Sequence, residues 1–184
     1  MTRSTPADEP VLELDEVSVS FPTDDGVVEA VRGVTWTLGA GRVLGIVGES
    51  GSGKSVSANA VMGLLPKTAR IAGHARFRDE GDLLAMSEKE LSSLRGSRIA
   101  MIFQDPMTSL NPVYRVGWQI AETIRLHHDV TKDEARRRAI ELLDTVGIPN
   151  AEERVDNYPH EFSGGMRQRV VIAIAMANEP DVII

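Results

Sequence analysis

One short segment combines glycine, lysine and serine at a spacing suited to holding phosphate groups. Residues Gly48–Ser55 read GESGSGKS and match the pattern G-x-x-x-x-G-K-[S/T]. Glycine lets the backbone fold tightly around an anion, and the free N–H groups at the start of a following helix attract negative charge. The alternative is a Gly/Ser-rich turn with an unrelated lysine, but the apolar run before the segment and the helical pattern after it favour a phosphate-binding loop.

Each polar group of this loop has a predicted task. The backbone N–H groups from about Ser50 to Lys54 point at a β-phosphate, and the Lys54 ammonium reaches the β- and γ-phosphates. The Ser55 hydroxyl becomes a ligand of Mg²⁺, which prefers oxygen and usually takes few protein ligands. The predicted nucleotide-binding residues of the loop are Gly48, Ser50, Gly51, Ser52, Gly53, Lys54, Ser55 and Val56.

The elements around the loop indicate an α/β protein. The β-branched run Val43–Val47 predicts a buried strand that leads into the loop, and a helix is expected from about residue 55 to 65. A later strand is predicted at Ile99–Phe103, which gives a parallel core. Before these, Leu12–Phe21 and Val27–Leu38 predict two antiparallel strands joined by a turn. Residues 66–97 form a polar segment without a predicted element.

A second helix is signalled by its start and its end. Thr131 and Glu134 form a capping box, and Gly147 follows the last apolar position. Arg136–Arg138 lie within this helix, where a solvated face explains the charges better than an anion site. The apolar positions on one face are Ala135, Ala139, Leu142, Leu143 and Val146.

A third helix begins at a serine followed by two glycines. Ser163 is a good N-cap for a helix that runs into the apolar stretch Val170–Ala177. Gly164 and Gly165 allow another backbone or an anion to come close, and arginines in the first turn would oppose the helix dipole unless negative charge lies nearby. An anion site and a simply capped helix both remain open from these residues.

Composition restricts the class of protein. The chain has 184 residues, 42% of them hydrophobic, which is enough for one domain with a sizeable core. A net charge of -7 argues against a nucleic-acid-binding surface. The longest apolar run is too short to cross a bilayer, and the four histidines lack metal-ligand spacing. His74 and His160 stand alone, and His127 and His128 are expected on different sides of a helix. The absence of cysteine excludes disulfides and thiolate metal sites within these residues.

Taken together, the motifs resemble the ATPase subunits of ABC transporters over residues 11–184, after a polar lead at residues 1–10. Gly48–Ser55 resemble the Walker A loop, Gln104 the Q-loop glutamine, and Phe162–Met166 the signature usually written LSGGQ. Phe162 and Met166 depart from that consensus. These departures, the string IFQDPMTSLNP at residues 102–112 and YPHE at residues 158–161 are similar to the dipeptide, oligopeptide and nickel importer subfamily.

The resemblance implies a P-loop NTPase (RecA-like) core, an antiparallel β subdomain and an inserted α-helical subdomain at about residues 105–165. Two ATPase subunits, identical or different, pair head to tail, so that Ser163, Gly164 and Gly165 of one contact the ATP on the other. Phe21 stands where the family has an aromatic that stacks on adenine, although a core phenylalanine is nearly as good an explanation. Gln104 would contact Mg²⁺ and the attacking water.

Some parts of the family's site are missing from this sequence. The Walker B aspartate, the catalytic glutamate and the switch histidine are expected beyond Ile184, and Asp181 precedes the strand and cannot replace them. The magnesium ligands that remain are Ser55 and Gln104, so little ATP hydrolysis is expected. A fragment of a longer protein with an unpaired apolar strand edge is therefore predicted.

The preferred interpretation is the ATP-binding subunit of a peptide-type importer. It would act at the cytoplasmic face of the cell membrane with transmembrane permease subunits and, indirectly, an extracytoplasmic solute-binding protein. The main alternative is a nucleotide-binding module that does not hydrolyse ATP. An ABC protein of DNA repair or translation would carry a long coiled-coil insertion or tandem cassettes, and the sequence has neither. The transported substrate is not encoded in these residues.

Overall fold

The computed structural model describes residues 10–103, 105 and 109–184. Nearly all of the predicted polar lead and Gln104 therefore lie outside the described residues. The chain divides into two compact units, one ending at Ser93 and the other beginning at Leu94.

The first unit is built on an antiparallel sheet of four strands in the order β2-β1-β3-β4. The strands are β1 (Pro10–Thr23), β2 (Gly26–Gly39), β3 (Arg70–Phe77) and β4 (Gly81–Asp82). The two predicted antiparallel strands are confirmed as β1 and β2, which pair from Pro10–Gly39 to Thr23–Gly26. β3 and β4 lie in the segment that the sequence left without a predicted element.

A bulge keeps the apolar side chains of β1 on one face. Leu12 and Leu14 are buried, and so are Val17 and Val19, although strict alternation would place the second pair on the opposite face. Glu16 lies between them with φ 51°, and the strand pairing shifts there. The extra residue of the β-bulge returns Val17 and Val19 to the same face of the sheet as Leu12 and Leu14.

Asp82 of β4 is held by several hydrogen bonds. Its carboxylate accepts from the backbone N–H groups of Ala75 (2.9 Å) and Leu84 (3.1 Å), and lies 2.7 Å from Nδ1 of His74. Partial burial tends to raise the pKa of Asp82, but the His74 contact and the two backbone N–H groups outweigh burial and lower it from 3.8. His74, which stands alone in the sequence, therefore has a local hydrogen-bond partner.

This carboxylate gives the first unit a pH dependence. Because the folded pKa is lowered, the stabilisation is present above 3.8 and is lost as pH falls through the folded value. We expect the urea midpoint of wild type to fall more steeply in this acid range than that of Asp82→Asn, whose side chain does not titrate. Urea unfolding of both proteins at several pH values, followed by hydrogen exchange of β3 amides, measures the two midpoints. Midpoints that fall in parallel with pH would contradict the role of Asp82.

Helix α1 (Lys54–Val61) follows the glycine-rich loop and is shorter than predicted. Gly63 has φ 61°, and its N–H donates to the carbonyl of Ala60 (3.0 Å). A glycine in this left-handed conformation ends a helix, so the predicted continuation to residue 65 is wrong. Helix α2 (Glu88–Leu94) completes this part of the chain.

The predicted buried strand Val43–Val47 is not formed. The segment is irregular, and Val43 and Val47 are 99% and 94% exposed. Parallel strands are paired by distant segments of the chain rather than by a neighbouring hairpin, and none of the strand pairs among the described residues includes this segment. The run has the amino-acid composition of a strand, but no described strand pairs with it. The prediction is wrong because composition does not specify a partner strand.

The described residues of the second unit include a short parallel strand pair and four α-helices with defined bounds. β5 (Ile99–Ala100) pairs with β6 (Val182–Ile183), and the Ile102 N–H continues the ladder to the Ile184 carbonyl (2.8 Å). The predicted strand at 99–103 thus forms only at its beginning. The helices are α3 (Val116–His127), α4 (Lys132–Thr145), α5 (Ala151–Arg154) and α6 (Gly164–Met176). No helix in the described part of the chain is long and apolar enough to cross a bilayer.

The helices of the second unit enclose one apolar core. Its most buried large side chains include Ile120 and Ile124 of α3, Leu143 of α4 and Phe162 before α6. His127 is the last residue of α3, and His128 is already extended with φ −129°. The sequence had placed both histidines on a helix, and this prediction is wrong for His128.

The capping box of α4 is confirmed, and its contribution can be measured. Thr131 Oγ1 accepts from the Glu134 N–H (3.2 Å), and Glu134 Oε2 accepts from the Thr131 N–H (2.9 Å). Replacing Thr131 by alanine should cost about 1 kcal/mol of helix stability. Faster hydrogen exchange of α4 amides would report the loss, while Thr131→Ser should match wild type. Equal exchange in both variants would contradict a capping role.

Candidate functional site

The glycine-rich loop folds around the side chain of Lys54. Its ammonium donates to the carbonyls of Gly48 (2.6 Å) and Glu49 (2.7 Å) and to the hydroxyl of Ser52 (3.2 Å). These acceptors come from residues five and six positions before the lysine as well as from the loop's middle. The loop therefore holds a positive charge over its own concave side, where a phosphate group can replace the carbonyl contacts.

Gly53 is required by the geometry of the loop. It is the N-cap of α1 with φ 88°, and a Cβ at this position would lie 2.3 Å from the carbonyl oxygen of Ala30 on β2. A side chain would be excluded both by the backbone conformation and by the contact. Gly51 also has a positive φ of 81°. Gly53 brings the loop into contact with the sheet and directs the chain into the helix.

The start of α1 is suited to an anion. Among the described residues, no side chain caps this N-terminus and its first turn has no acidic residue. Unpaired N–H groups and the helix dipole favour a negative group at this end. Ser52 and Ser55 are exposed, and the Ser55 hydroxyl stands one residue after Lys54. The N–H groups, Lys54 and the serine hydroxyls therefore fit a polyphosphate that carries a magnesium ion. The described residues contain no group of three or more His, Asp or Glu that could hold a metal ion by itself.

Phe21 lies at the end of β1 and is half-buried. It packs against the cluster of Val19, Val31 and Ala60, to which Val56 of α1 also belongs. This is the environment of a core phenylalanine, and it also brings the ring to the helix that carries Lys54. The two explanations given by the sequence both remain compatible with this position.

The second predicted phosphate-binding motif forms a capped helix start in the second unit. Ser163 Oγ accepts from the Met166 N–H (3.3 Å), which confirms the serine as N-cap of α6. Gly164 and Gly165 are exposed, and a Cβ on either would have no atom within 4 Å among the described residues. The glycines are therefore not needed for packing within this unit, and they leave the helix start open to another molecule.

The residues around these glycines explain two features of the motif. Phe162 is only 2% exposed and lies in the apolar core, so an aromatic side chain at this position anchors the chain directly before Ser163. Arg169 donates to the Gly147 carbonyl (2.6 Å) at the end of α4. This contact, rather than a bound anion, accounts for the arginine that the sequence placed against the helix dipole.

One group of polar contacts was not predicted. Asp156, just after α5, accepts from Arg136 of α4 (2.6 Å) and forms an ion pair with Arg115 (3.4 Å). Arg136–Arg138 are exposed as expected, but Arg136 is also paired. Ion pairs between residues this far apart leave no fixed spacing in the sequence, and only the packing of the helices brings them together.

The family of the chain follows from these features and from comparison with known proteins. A phosphate-binding loop on an α/β unit and a glycine signature on a helical unit are the two parts of an ATP-binding cassette. The family model described as ABC transporter matches residues 31–184. The chain belongs to this family.

Curated relatives that match nearly the whole chain include ATP-binding proteins of peptide import. The chain is 52% identical over 175 residues to the oligopeptide transport ATP-binding protein OppD of Bacillus subtilis (strain 168). The aligned region covers 95% of this chain and 49% of the relative. It is 52% identical to the OppD protein of Salmonella typhimurium, covering 95% and 52%. A putative peptide import ATP-binding protein of Brucella abortus is 51% identical. The chain thus spans about half the length of these relatives.

Solved structures agree on the fold. A dimeric ATP-binding cassette, MJ0796, determined with ADP and phosphate in a post-hydrolysis state, superposes with a TM-score of 0.81 at 26% identity, covering 94% of this chain and 72% of that one. The cbiO1 protein of Clostridium perfringens, part of the cbiONQ transporter complex, gives a TM-score of 0.74 at 28% identity, covering 96% and 64%. The fold is therefore that of an α/β P-loop NTPase of the ABC type.

Proposed function

We propose that this chain is the ATP-binding part of an ABC importer that takes up peptides or a similar small solute. The observation that carries the proposal is the loop in which Lys54 lies across the carbonyls of Gly48 and Glu49 at the uncapped start of α1. The identity of about one half to peptide import ATP-binding proteins over 95% of the chain supports the choice of solute class.

At the loop, the chain's own groups bind and orient the triphosphate of ATP. Lys54 exchanges its carbonyl contacts for the β- and γ-phosphates, and the N–H groups between Ser50 and Lys54 hold the β-phosphate. Ser55 would be a ligand of Mg²⁺, which neutralises charge on the phosphates. Val56 and Phe21 supply the apolar side of this position, with the Phe21 ring as a stacking surface for adenine. Gln104 is proposed as a further contact to the magnesium ion and the attacking water.

The signature residues act on a second nucleotide. The Ser163 hydroxyl caps this helix start, and no atom of the described residues would lie within 4 Å of a Cβ on Gly164 or Gly165, so the two glycines leave room for another molecule. We propose that Ser163, Gly164 and Gly165 close over ATP held by a second ABC ATPase subunit, which can be a copy of this chain or a related one. The dimeric form of the MJ0796 cassette is consistent with such pairing.

The remaining partners follow from the importer proposal. The chain would bind transmembrane permease subunits at the cytoplasmic face of the cell membrane, and an extracytoplasmic solute-binding protein would deliver the solute. The segment after Gln104 is the proposed contact to the permease, since a loop that senses nucleotide can pass its change to a neighbour.

Peptide uptake in cells tests the proposal. Cells lacking the protein should take up a labelled oligopeptide more slowly, and wild-type protein should restore uptake while Lys54→Ala should not. Normal uptake without the protein would reject the importer function. ATP binding by the purified chain without any effect on uptake would instead favour a module that works by nucleotide binding alone.

A further inference from the structure

A backbone clamp joins the start of α3 to the segment that leads into the signature. The N–H of Val116 donates to the Asn157 carbonyl (2.9 Å), and the N–H of Gly117 donates to the Val155 carbonyl (2.8 Å). The first backbone N–H groups of a helix usually donate to side chains or water. Here the first donors of α3 are used to hold the turn after α5.

Gly117 makes this close approach possible. A Cβ on Gly117 would lie 2.1 Å from Cγ2 of Val155 and 2.6 Å from its carbonyl oxygen. Both distances are far below ordinary contact, and Val155 is only 1% exposed, so it has little room to move. Glycine normally weakens a helix relative to alanine, so its presence here is explained by the contact and not by helix formation.

Asp156 supports the clamp from the side. Its carboxylate lies between Arg115, the N-cap residue of α3, and Arg136 of α4. All three side chains are about half-exposed, and exposed ion pairs contribute little to overall stability. The pairs instead fix where the turn sits between the two helices.

The clamped turn runs directly into the signature. Tyr158 N–H donates to Glu161 Oε2 (2.6 Å), Phe162 N–H donates to the Pro159 carbonyl (3.2 Å), and the buried Phe162 ends this short path. Ser163 is the next residue. The backbone between the clamp and the serine is hydrogen-bonded at Tyr158 and Phe162, so we expect a displacement at Val155 to reach Ser163.

The same helix also holds residues 111–114. Gln119 of α3 donates to the carbonyls of Asn111 (3.0 Å) and Tyr114 (2.9 Å), and its Oε1 accepts from the Asn111 N–H (3.0 Å). One element of the second unit therefore binds both residues 111–114 and the turn before the signature.

We propose that Gly117 and Asp156 are positioning residues for the signature, and that they set the placement of Ser163–Gly165 needed to close over a partner's ATP. The inference rests on the proposed function. Both residues belong to the second unit and the Gly48–Ser55 loop belongs to the first, so the proposed effect is on closure and not on ATP binding at Gly48–Ser55.

Hydrogen exchange by mass spectrometry, with and without Mg-ATP, tests the proposal on the intact protein together with any ATPase subunit that copurifies with it. Without nucleotide, Gly117→Ala should speed exchange of amides 157–164 by about tenfold or more, because the added methyl group forces the turn away. With Mg-ATP, wild type should gain protection both at 48–55 and at 163–165. Gly117→Ala should keep the first protection and lose the second.

The outcomes separate the two claims. Wild type without protection at 163–165 would reject the proposed signature function, and the positioning role with it. Wild type with protection that Gly117→Ala fully retains would overturn only the positioning role. Loss of protection at 48–55 as well in the variant would also overturn it, because a general loss of structure would then be the cause.

A milder variant and a matched control keep the test decisive if Gly117→Ala folds poorly. Asp156→Asn removes the charge without changing size and should reduce the ATP-induced protection at 163–165 by several-fold. Glu122→Gln makes the same chemical change in a carboxylate that pairs with Arg125 within α3 and should behave as wild type. Equal behaviour of these two variants would contradict the role of Asp156.

Discussion

Replacing Lys54 by alanine is expected to weaken ATP binding by about 100-fold or more, since a hydrogen-bonded charge in contact with two phosphates is removed. The fold should survive, because the ammonium's hydrogen bonds within the described part of the chain go to groups of its own loop, at Gly48, Glu49 and Ser52. Isothermal titration of wild type and variant with ATP and magnesium measures the change directly.

Lys67→Ala is the matched control for this experiment. Lys67 is an exposed lysine of the same unit, outside the glycine-rich loop. It makes the same change in net charge, so it separates a local contact from a general electrostatic effect. ATP affinity should be unchanged in this variant. Unchanged affinity in Lys54→Ala would contradict the assignment of the phosphate site.

Replacing Phe162 by alanine should destabilise the second unit by about 3–5 kcal/mol, the usual effect of removing a fully buried aromatic side chain. Phe162 is 2% exposed and packs in the core formed by the helices of this unit. Denaturant unfolding, with hydrogen exchange of α6 amides as the probe, measures the stability of this unit separately from that of the first.

Phe162→Leu introduces the residue that the usual signature has at this position. Both residues are apolar and of related size, so the change should cost less than about 1.5 kcal/mol. ATP binding at the Lys54 loop should not change in either variant, because Phe162 belongs to the other unit. Equal stability of the alanine variant and wild type would contradict the anchoring role of Phe162.

Local signals in the sequence predicted some elements well. The capping box at Thr131 gave the start of α4, and the Ser163 N-cap gave the start of α6, because each signal depends on hydrogen bonds within three residues. The hairpin of β1 and β2 was also predicted, since its strands are joined by a short turn. The strand at Val43–Val47 failed because a parallel strand depends on distant partners that its own composition does not specify.

The candidate site was predictable where one segment carries all of it. The loop of Gly48–Ser55 contains its own glycines, lysine and serine, so the motif alone located the candidate site, although it did not predict the contacts of Lys54 to the Gly48 and Glu49 carbonyls. The clamp at Gly117 and Val155 was not predictable, because a glycine in a helix gives no sign of what lies against it. Phe21 remained ambiguous because a half-buried aromatic at a strand end fits both a core and a stacking role.

Competition among adenine nucleotides tests the central claim, that the loop of Gly48–Ser55 binds ATP through its β- and γ-phosphates. Labelled ATP is bound to the protein in equilibrium dialysis with magnesium, and unlabelled ADP or AMP is added. We predict that ADP displaces ATP and that AMP does not, since the backbone N–H groups and Lys54 recognise the β-phosphate. Displacement by AMP as effective as that by ADP, or no ATP bound at all, would contradict the account.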